Sequence, residues 1–250
     1  MSRLVLLSGW GINASIWHPL QAYWPAELHV VAPDWPGYGA FPPLEVPSDL
    51  DALAEAMATK LSTDAVWVGW SLGGLLAAEL LKRLPAPRGL VMLGMRPSFT
   101  VDDATRGGVT VQDLAAFRHA FSHDPQRTWQ HFLHLQLRGE PSPRQALQRL
   151  TSLLDDSMPA NTTTLAAGLE QLANLNVCQA LQKSPCTTYF VRGEQDPLLP
   201  ELANENSILL PGCGHCPQLS VPHELARCLS DLAQSLTDVT ACQVERHDAR

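Results

Sequence analysis

The sequence predicts an α/β fold in which a mostly parallel central sheet is flanked by helices and a helical cap is inserted between two strands. Three observations lead to that expectation. Short β-rich runs alternate with longer stretches of helical spacing. The runs are continuously apolar instead of alternating apolar and polar, as strands covered by helices on both faces require. Between residues 100 and 182 the strand rhythm stops and only helical spacing remains.

In chain order, "RLVLLS" (3–8) and "LHVVAP" (28–33) read as the first two strands. "LDALAEAMATKL" (50–61) follows as a helix with Ser48 or Asp49 as its N-cap, since a side-chain oxygen there satisfies amides that the first turn leaves unpaired. The strand "AVWVGW" (65–70) runs into the helix "LGGLLAAELLKRL" (72–84), which Pro85 stops because proline has no amide hydrogen to continue the ladder. "GLVMLG" (89–94) is the next strand. "VQDLAAFRHAFSH", "QRTWQHFLHLQL", "SPRQALQRLTSLLD" and "TTTLAAGLEQLANL" fill the insertion with helices. "TTYFVRG" (187–193) and "NSILLP" (206–211) resume the sheet, and the polar, aperiodic "TACQVERHDAR" at the end is expected to fray. Residues 1–99 and 183–238 then make the core, 100–182 the cap and 239–250 a frayed tail.

With 250 residues, 45% of them hydrophobic and 17% charged, the chain can bury a sizeable core as one domain. A formal charge of −8 argues against nucleic acid or an anionic membrane as partner. The apolar run Leu4 to Leu7 is too short for a signal-sequence core or a membrane span, so a cytoplasmic location is expected. Without an export signal, the six cysteines are expected to be reduced thiols, most of them acting as small buried hydrophobes.

The strongest local signal is Gly69-Trp70-Ser71-Leu72-Gly73, a G-x-S-x-G run lying between a predicted strand and a predicted helix, where that motif thrusts a serine hydroxyl out of a sheet. Gly69 and Gly73 leave room for crossing backbone. Ser71 also opens the helix, so the Leu72 N–H points to where negative charge collects during acyl transfer. The bland reading is a glycine-rich turn with an incidental serine.

A serine nucleophile needs a base, and the base an orienting acid, in the chain order Ser, Asp or Glu, His. Asp196 in "RGEQDPLLP" and His215 in "PGCGHCPQLS" each fall just past a strand, at the sheet edge where the serine emerges. Asp34, in "APDWPGYG", is the competing acid, although it precedes the serine and reads as a turn residue. His215 as a buried structural histidine is the competing role for the base. A second oxyanion donor is expected from the loop after the first strand, where Gly9 and Gly11 flank Trp10; otherwise Trp10 simply packs into the core. Cys213 and Cys216 have the spacing of a redox dithiol, but such a site begins an uninterrupted helix, and Pro217 and Pro222 forbid one. His119, His123, His131 and His134 come without H-E-x-x-H or a Cys/His set, so no metal and no other cofactor is expected.

Together "LVLLSGWGINASIW" (4–17), "VVAPDWPGYG" (30–39), "WVGWSLGGL" (67–75), "RPSF" (96–99), "QRTWQHFLHLQ" (126–136), "RGEQDPLLP" (192–200) and "GCGHCPQLSVPHE" (212–224) resemble the serine α/β-hydrolases. Within them the chain is similar to the carboxylesterases that demethylate pimeloyl-acyl-carrier-protein methyl ester in biotin biosynthesis. The resemblance implies an α/β-hydrolase fold, Ser71 as nucleophile, His215 as base, Asp196 as acid and the Trp10 and Leu72 N–H groups as oxyanion donors. It also implies that Phe132, Leu133, His134, Leu135 and Gln136 bind substrate beside these, in a monomer whose partner is an acyl-carrier protein. The chain departs from the family in having Ser8-Gly9 where His-Gly is usual, and in beginning at the strand that bears this loop.

The charge distribution bears on the partner. Residues 106–150 hold six arginines (106, 118, 127, 138, 144 and 149) against Asp113, Asp124 and Glu140, so this segment is at +3 and the rest at −11. A basic cap suits an acidic carrier protein, with Arg127, Arg138, Arg144 and Arg149 as docking residues; equally, arginines on amphipathic helices simply face water. Two further functions stay open, a lid-bearing esterase or lactonase for small free esters and a catalytically silent binding protein on a hydrolase fold.

Overall fold

The computed structural model describes residues 2–103, 105, 107–154, 157–199 and 207–248, the stretch 237–248 by its backbone alone. The strands are β1 (Arg3–Leu7), β2 (His29–Val31), β3 (Val66–Trp70), β4 (Gly89–Leu93), β5 (Thr100–Val101), β6 (Val109–Thr110), β7 (Thr187–Gly193) and β8 (Ser207–Leu210). Six of them form one sheet in the order β2-β1-β3-β4-β7-β8, each neighbouring pair parallel. β3 and β4 are buried along their whole length, and β1 beyond Arg3, which explains the unbroken apolar runs.

The helices are α1 (Leu50–Met57), α2 (Leu72–Leu80), α3 (Val111–His123), α4 (Pro125–Leu135), α5 (Pro143–Leu154), α6 (Thr162–Asn174), α7 (Cys178–Lys183), α8 (Pro217–Ser220) and α9 (Pro222–Asp248), with a 3-10 run over Ala14–Tyr23. Asp49 caps α1 by accepting from the Asp51 and Ala52 amides at 2.9 and 3.1 Å. Every residue of α2 is buried. Its one charged side chain, Glu79, is paired with Lys82 at 2.7 Å and Arg83 at 3.0 Å, as a buried carboxylate requires. α3 to α6 leave the sheet after β4, and α7 leads back into β7.

The structure corrects the sequence reading in two places. Residues 100–182 are not wholly helical, because β5 and β6 form a short parallel pair. The expected frayed tail over 239–250 is helical as far as Asp248, since a helix started at Pro222 extends more easily than it starts. As expected, no uninterrupted helix follows Cys213 and Cys216: α8 starts at Pro217 and ends at Ser220, and Pro222 begins α9, each proline at a first-turn position where its missing amide costs nothing. Arg106, Asp155, Asp156 and residues 249–250 lie outside the described residues. Among the described residues no helix is long and apolar enough to cross a membrane.

β1 has β2 on one side and β3 on the other, so the chain changes direction across the sheet there. Loops leaving the carboxyl ends of β1 and β3 at such a switch point border a crevice.

Candidate active site

Ser71 sits between β3 and α2 with φ 55° and ψ −128°, the only non-glycine positive φ among the described residues. The turn can be this sharp because a Cβ on Gly69 would lie 2.4 Å from the Gly73 carbonyl oxygen, and one on Gly73 2.5 Å from that of Ser8. The Ser71 N–H donates to the Leu93 carbonyl at 2.8 Å, tying the turn to β4, while its hydroxyl makes no capping bond to α2.

His215 and Asp196 meet against Trp70, the residue before Ser71, whose indole donates to the His215 carbonyl at 2.8 Å. His215 Nδ1 lies 2.8 Å from Asp196 Oδ2, both side chains fully buried, and Asp196 Oδ1 accepts from the Leu198 amide at 2.9 Å. Both oxygens of the acid are therefore engaged. His215 Nε2 is buried and makes no hydrogen bond. The imidazole rests on the end of β4, since a Cβ on Gly94 would be 3.2 Å from its Cε1, and its ring centroid is 5.5 Å from that of Trp70. Asp34, the competing acid, instead accepts from the Ala14 amide at 2.7 Å.

Residues 4–228 match the alpha/beta hydrolase family. The chain belongs to that family. It is 34% identical to a pimeloyl-[acyl-carrier protein] methyl ester esterase of Aromatoleum aromaticum, over 92% of this chain and 98% of the relative, and 32% identical to one of Yersinia pseudotuberculosis, over 92% and 93%. Among solved structures it is similar to an esterase from Exiguobacterium antarcticum, with a TM-score of 0.78 at 21% identity over 94% of this chain and 92% of that one.

In this alpha/beta hydrolase the loop after β1 runs against the serine, since a Cβ on Gly9 would come 2.9 Å from that of Ser71. The peptide joining Gly9 to Trp10 thus lies next to Ser71, and Leu72 opens α2 on the other side. Trp10 itself is 1% exposed, edge-on to Phe117, Phe121 and Phe132, and its indole donates to the Leu165 carbonyl at 2.7 Å. Trp10 thus packs into the core while one side of it lines a cleft. Ser8, at the start of this loop, is buried with its hydroxyl unpartnered. Indoles brace the loop in its place: Trp35 donates to the Ser8 carbonyl at 2.9 Å and Trp129 to that of Gly11 at 2.8 Å. The Tyr38 hydroxyl accepts from the Gly11 amide at 3.2 Å, and burial raises its pKa.

A cleft of about 370 Å³ opens next to Trp10, walled by Phe99, Leu114, Phe117, Phe132 and Leu135, with Pro197 and Leu198 beyond Asp196 and Arg138 also lining it. Phe132 and Leu135 face this cleft, three residues apart on one side of α4. Leu133 and His134 face away, into a separate pocket with Trp129, Leu147 and Leu154. Gln136 is fully buried, its amide oxygen 3.6 Å from Cys216 Sγ, and does not line the cleft. Of the consecutive residues 132–136, helical geometry brings only Phe132 and Leu135 to the cleft.

All four arginines expected to dock a partner, Arg127, Arg138, Arg144 and Arg149, are exposed, and Arg149 also donates to the Leu219 carbonyl at 2.6 Å. Arg118 pairs with Glu170. Cys213 and Cys216 are free and fully buried. Burial, with the Glu140 charge second, pushes the Cys213 thiol up to about 12 and Cys216 well above its ordinary value, the reverse of a redox dithiol. Among the described residues no group of three or more His, Cys, Asp or Glu is placed to hold a metal ion.

Sequence reasoning missed Trp35 and Trp129 as loop braces, and also Glu140. The tryptophans are visible in "APDWPGYG" and "QRTWQHF", but the direction of an indole N–H depends on packing. Glu140 lies in "RGEPSP", which reads as an exposed turn, yet it is 4% exposed.

Proposed function

We propose that the chain is a carboxylesterase that hydrolyses the methyl ester of pimeloyl-acyl-carrier protein, the demethylation step of biotin synthesis, through a Ser71 acyl-enzyme. One observation carries the chemistry: a histidine whose Nδ1 is held by a buried carboxylate at 2.8 Å, whose buried Nε2 makes no hydrogen bond, and whose ring packs on Trp70, the residue before a serine in a strained turn. The specific ester is supported by the names of the relatives that match nearly the whole chain.

In this reading the Ser71 hydroxyl turns to Nε2 and attacks the ester carbonyl as His215 takes its proton. Asp196 holds the imidazole in the tautomer with Nδ1–H and stabilises the imidazolium. The oxyanion is received by the N–H groups of Trp10 and Leu72. His215 then protonates the leaving methoxide, methanol departs, and a water deprotonated by His215 releases the free acid and regenerates Ser71. The acyl chain lies in the cleft between Trp10, Phe132 and Leu135. With Ser71 and His215 only 4% and 1% exposed, the helices over the site act as a lid that moves to admit the substrate.

Hydrolysis of methyl esters, free and carrier-linked, measured across ionic strength is the test. Carrier-linked ester should be preferred, the preference weakening with salt as docking charges are screened. Equal rates on free esters at all salt concentrations would instead favour a small-ester hydrolase. Ser71→Ala should lower turnover by about 10⁶ and abolish fluorophosphonate labelling; a wild-type protein that resists labelling would favour a silent binding protein.

A further inference from the structure

We propose that Glu140, in the turn between α4 and α5, is a positioning residue for His215. The inference rests on the reading of His215 as the base. The peptide unit between His215 and Cys216 is gripped at both ends: the His215 carbonyl accepts from the Trp70 indole at 2.8 Å, and the Cys216 N–H donates to Glu140 Oε1 at 2.7 Å. Because a peptide unit is planar, holding its oxygen and its hydrogen together fixes the plane that carries the His215 Cα, from which the imidazole projects toward Asp196. The other carboxylate oxygen accepts from the Ser220 hydroxyl, on α8 just beyond the base. A carboxylate buried to 4% exposure is costly unless bonded in this way, and a charged acceptor makes the grip on the amide stronger than a neutral one would.

The backbone beside Glu140 is fitted to the same place. A Cβ on Gly139 would stand 1.8 Å from the carbonyl oxygen of Gln195 and 3.2 Å from the Cα of Gly214. One on Gly214 would stand 2.8 Å from the Gly139 carbonyl carbon. The turn after α4 is thus wedged against the residue preceding Asp196 and the residue preceding His215, and these two loops are joined by the Gln195 N–H to Cys213 carbonyl bond at 2.9 Å. The helices over the cleft and the base therefore share one anchor, and the base is aimed only when that turn is seated.

The test compares Glu140→Gln, Glu140→Asp and Glu140→Ala by melting temperature, by kcat and KM on a soluble p-nitrophenyl ester, and by the rate of fluorophosphonate labelling at Ser71. Gln keeps an acceptor oxygen at the same reach and should hold kcat within about threefold of wild type, whereas Asp, retracted by one methylene, and Ala should lose on the order of 10- to 100-fold with KM little changed. Labelling should slow in parallel with kcat. Folded Asp or Ala variants with wild-type kcat overturn the assignment, and so does a Gln variant as impaired as Asp. If Ala does not fold, the Gln and Asp pair decides it. Absence of labelling in the wild-type protein is a separate result, which removes the triad reading itself.

Discussion

Replacing Ser71 by glycine separates what the sharp turn costs from what it does. At φ 55° and ψ −128° the serine occupies a region that L-residues enter at ~1–3 kcal/mol and that glycine enters freely. Glycine loses ~0.4–1 kcal/mol of this advantage through the greater freedom of its unfolded chain. The hydroxyl does not cap α2, so its removal sacrifices no helix bond. The balance is a gain of about 1 kcal/mol, which for a domain of this size raises the melting temperature by roughly 2–4 °C. Ser71→Ala is the reference, because it keeps the Cβ and hence the strain while also lacking the nucleophile. Calorimetry of the three proteins at one pH, alongside ester hydrolysis, should show both variants inactive and only the glycine variant melting higher. A glycine variant that melts at or below the alanine variant would refute the claim that the serine strains its turn.

Alkylation of the native protein with iodoacetamide, followed by mass spectrometry, should modify exposed Cys178 and spare Cys213 and Cys216, and Cys213→Ala with Cys216→Ala should keep most of the esterase activity; loss of activity in that pair would restore a role for the thiols. Burial raises the folded Cys213 pKa from an ordinary 9.0 to about 12, so the folded state holds its proton where the unfolded chain has lost it. Unfolding free energy should accordingly be unaffected by this group below pH 9 and fall as pH rises from there toward 12, with a shallower fall in Cys213→Ala. Arg149→Ala should cost about 1 kcal/mol by losing its bond to the Leu219 carbonyl, seen as a lower melting temperature. A full effect on carrier-linked turnover with no change in melting would place Arg149 at a docking surface instead.

Strand and helix positions were legible because their signals are local. Apolar runs marked β1, β3 and β4, and helical spacing marked α3 to α6. Ser71 was legible because the glycines its turn needs are within four residues of it. Asp196 and His215 were legible from their place after β7 and β8, since parallel strands bring all their carboxyl ends to one edge. Residues 132–136 were only half legible: the string is contiguous in sequence, but a helix turns successive side chains by about 100°, and only Phe132 and Leu135 reach the cleft. β5, β6 and the helical path of 239–248 had no clear pattern to announce them.

By itself the sequence determined the alternation of strands and helices, the turn that presents Ser71, and the placing of Asp196 and His215 after later strands of the sheet. Each of these depends on residues close together in the chain or on the direction of parallel strands. Tertiary structure alone decided that Asp196 Oδ2 meets His215 at Nδ1, that indoles brace the loop where Ser8 stands, and that Glu140 grips the peptide following His215. Those choices join residues 19 to 76 positions apart through the direction of single hydrogen bonds. No local periodicity encodes such directions, and they are set only once the core has packed.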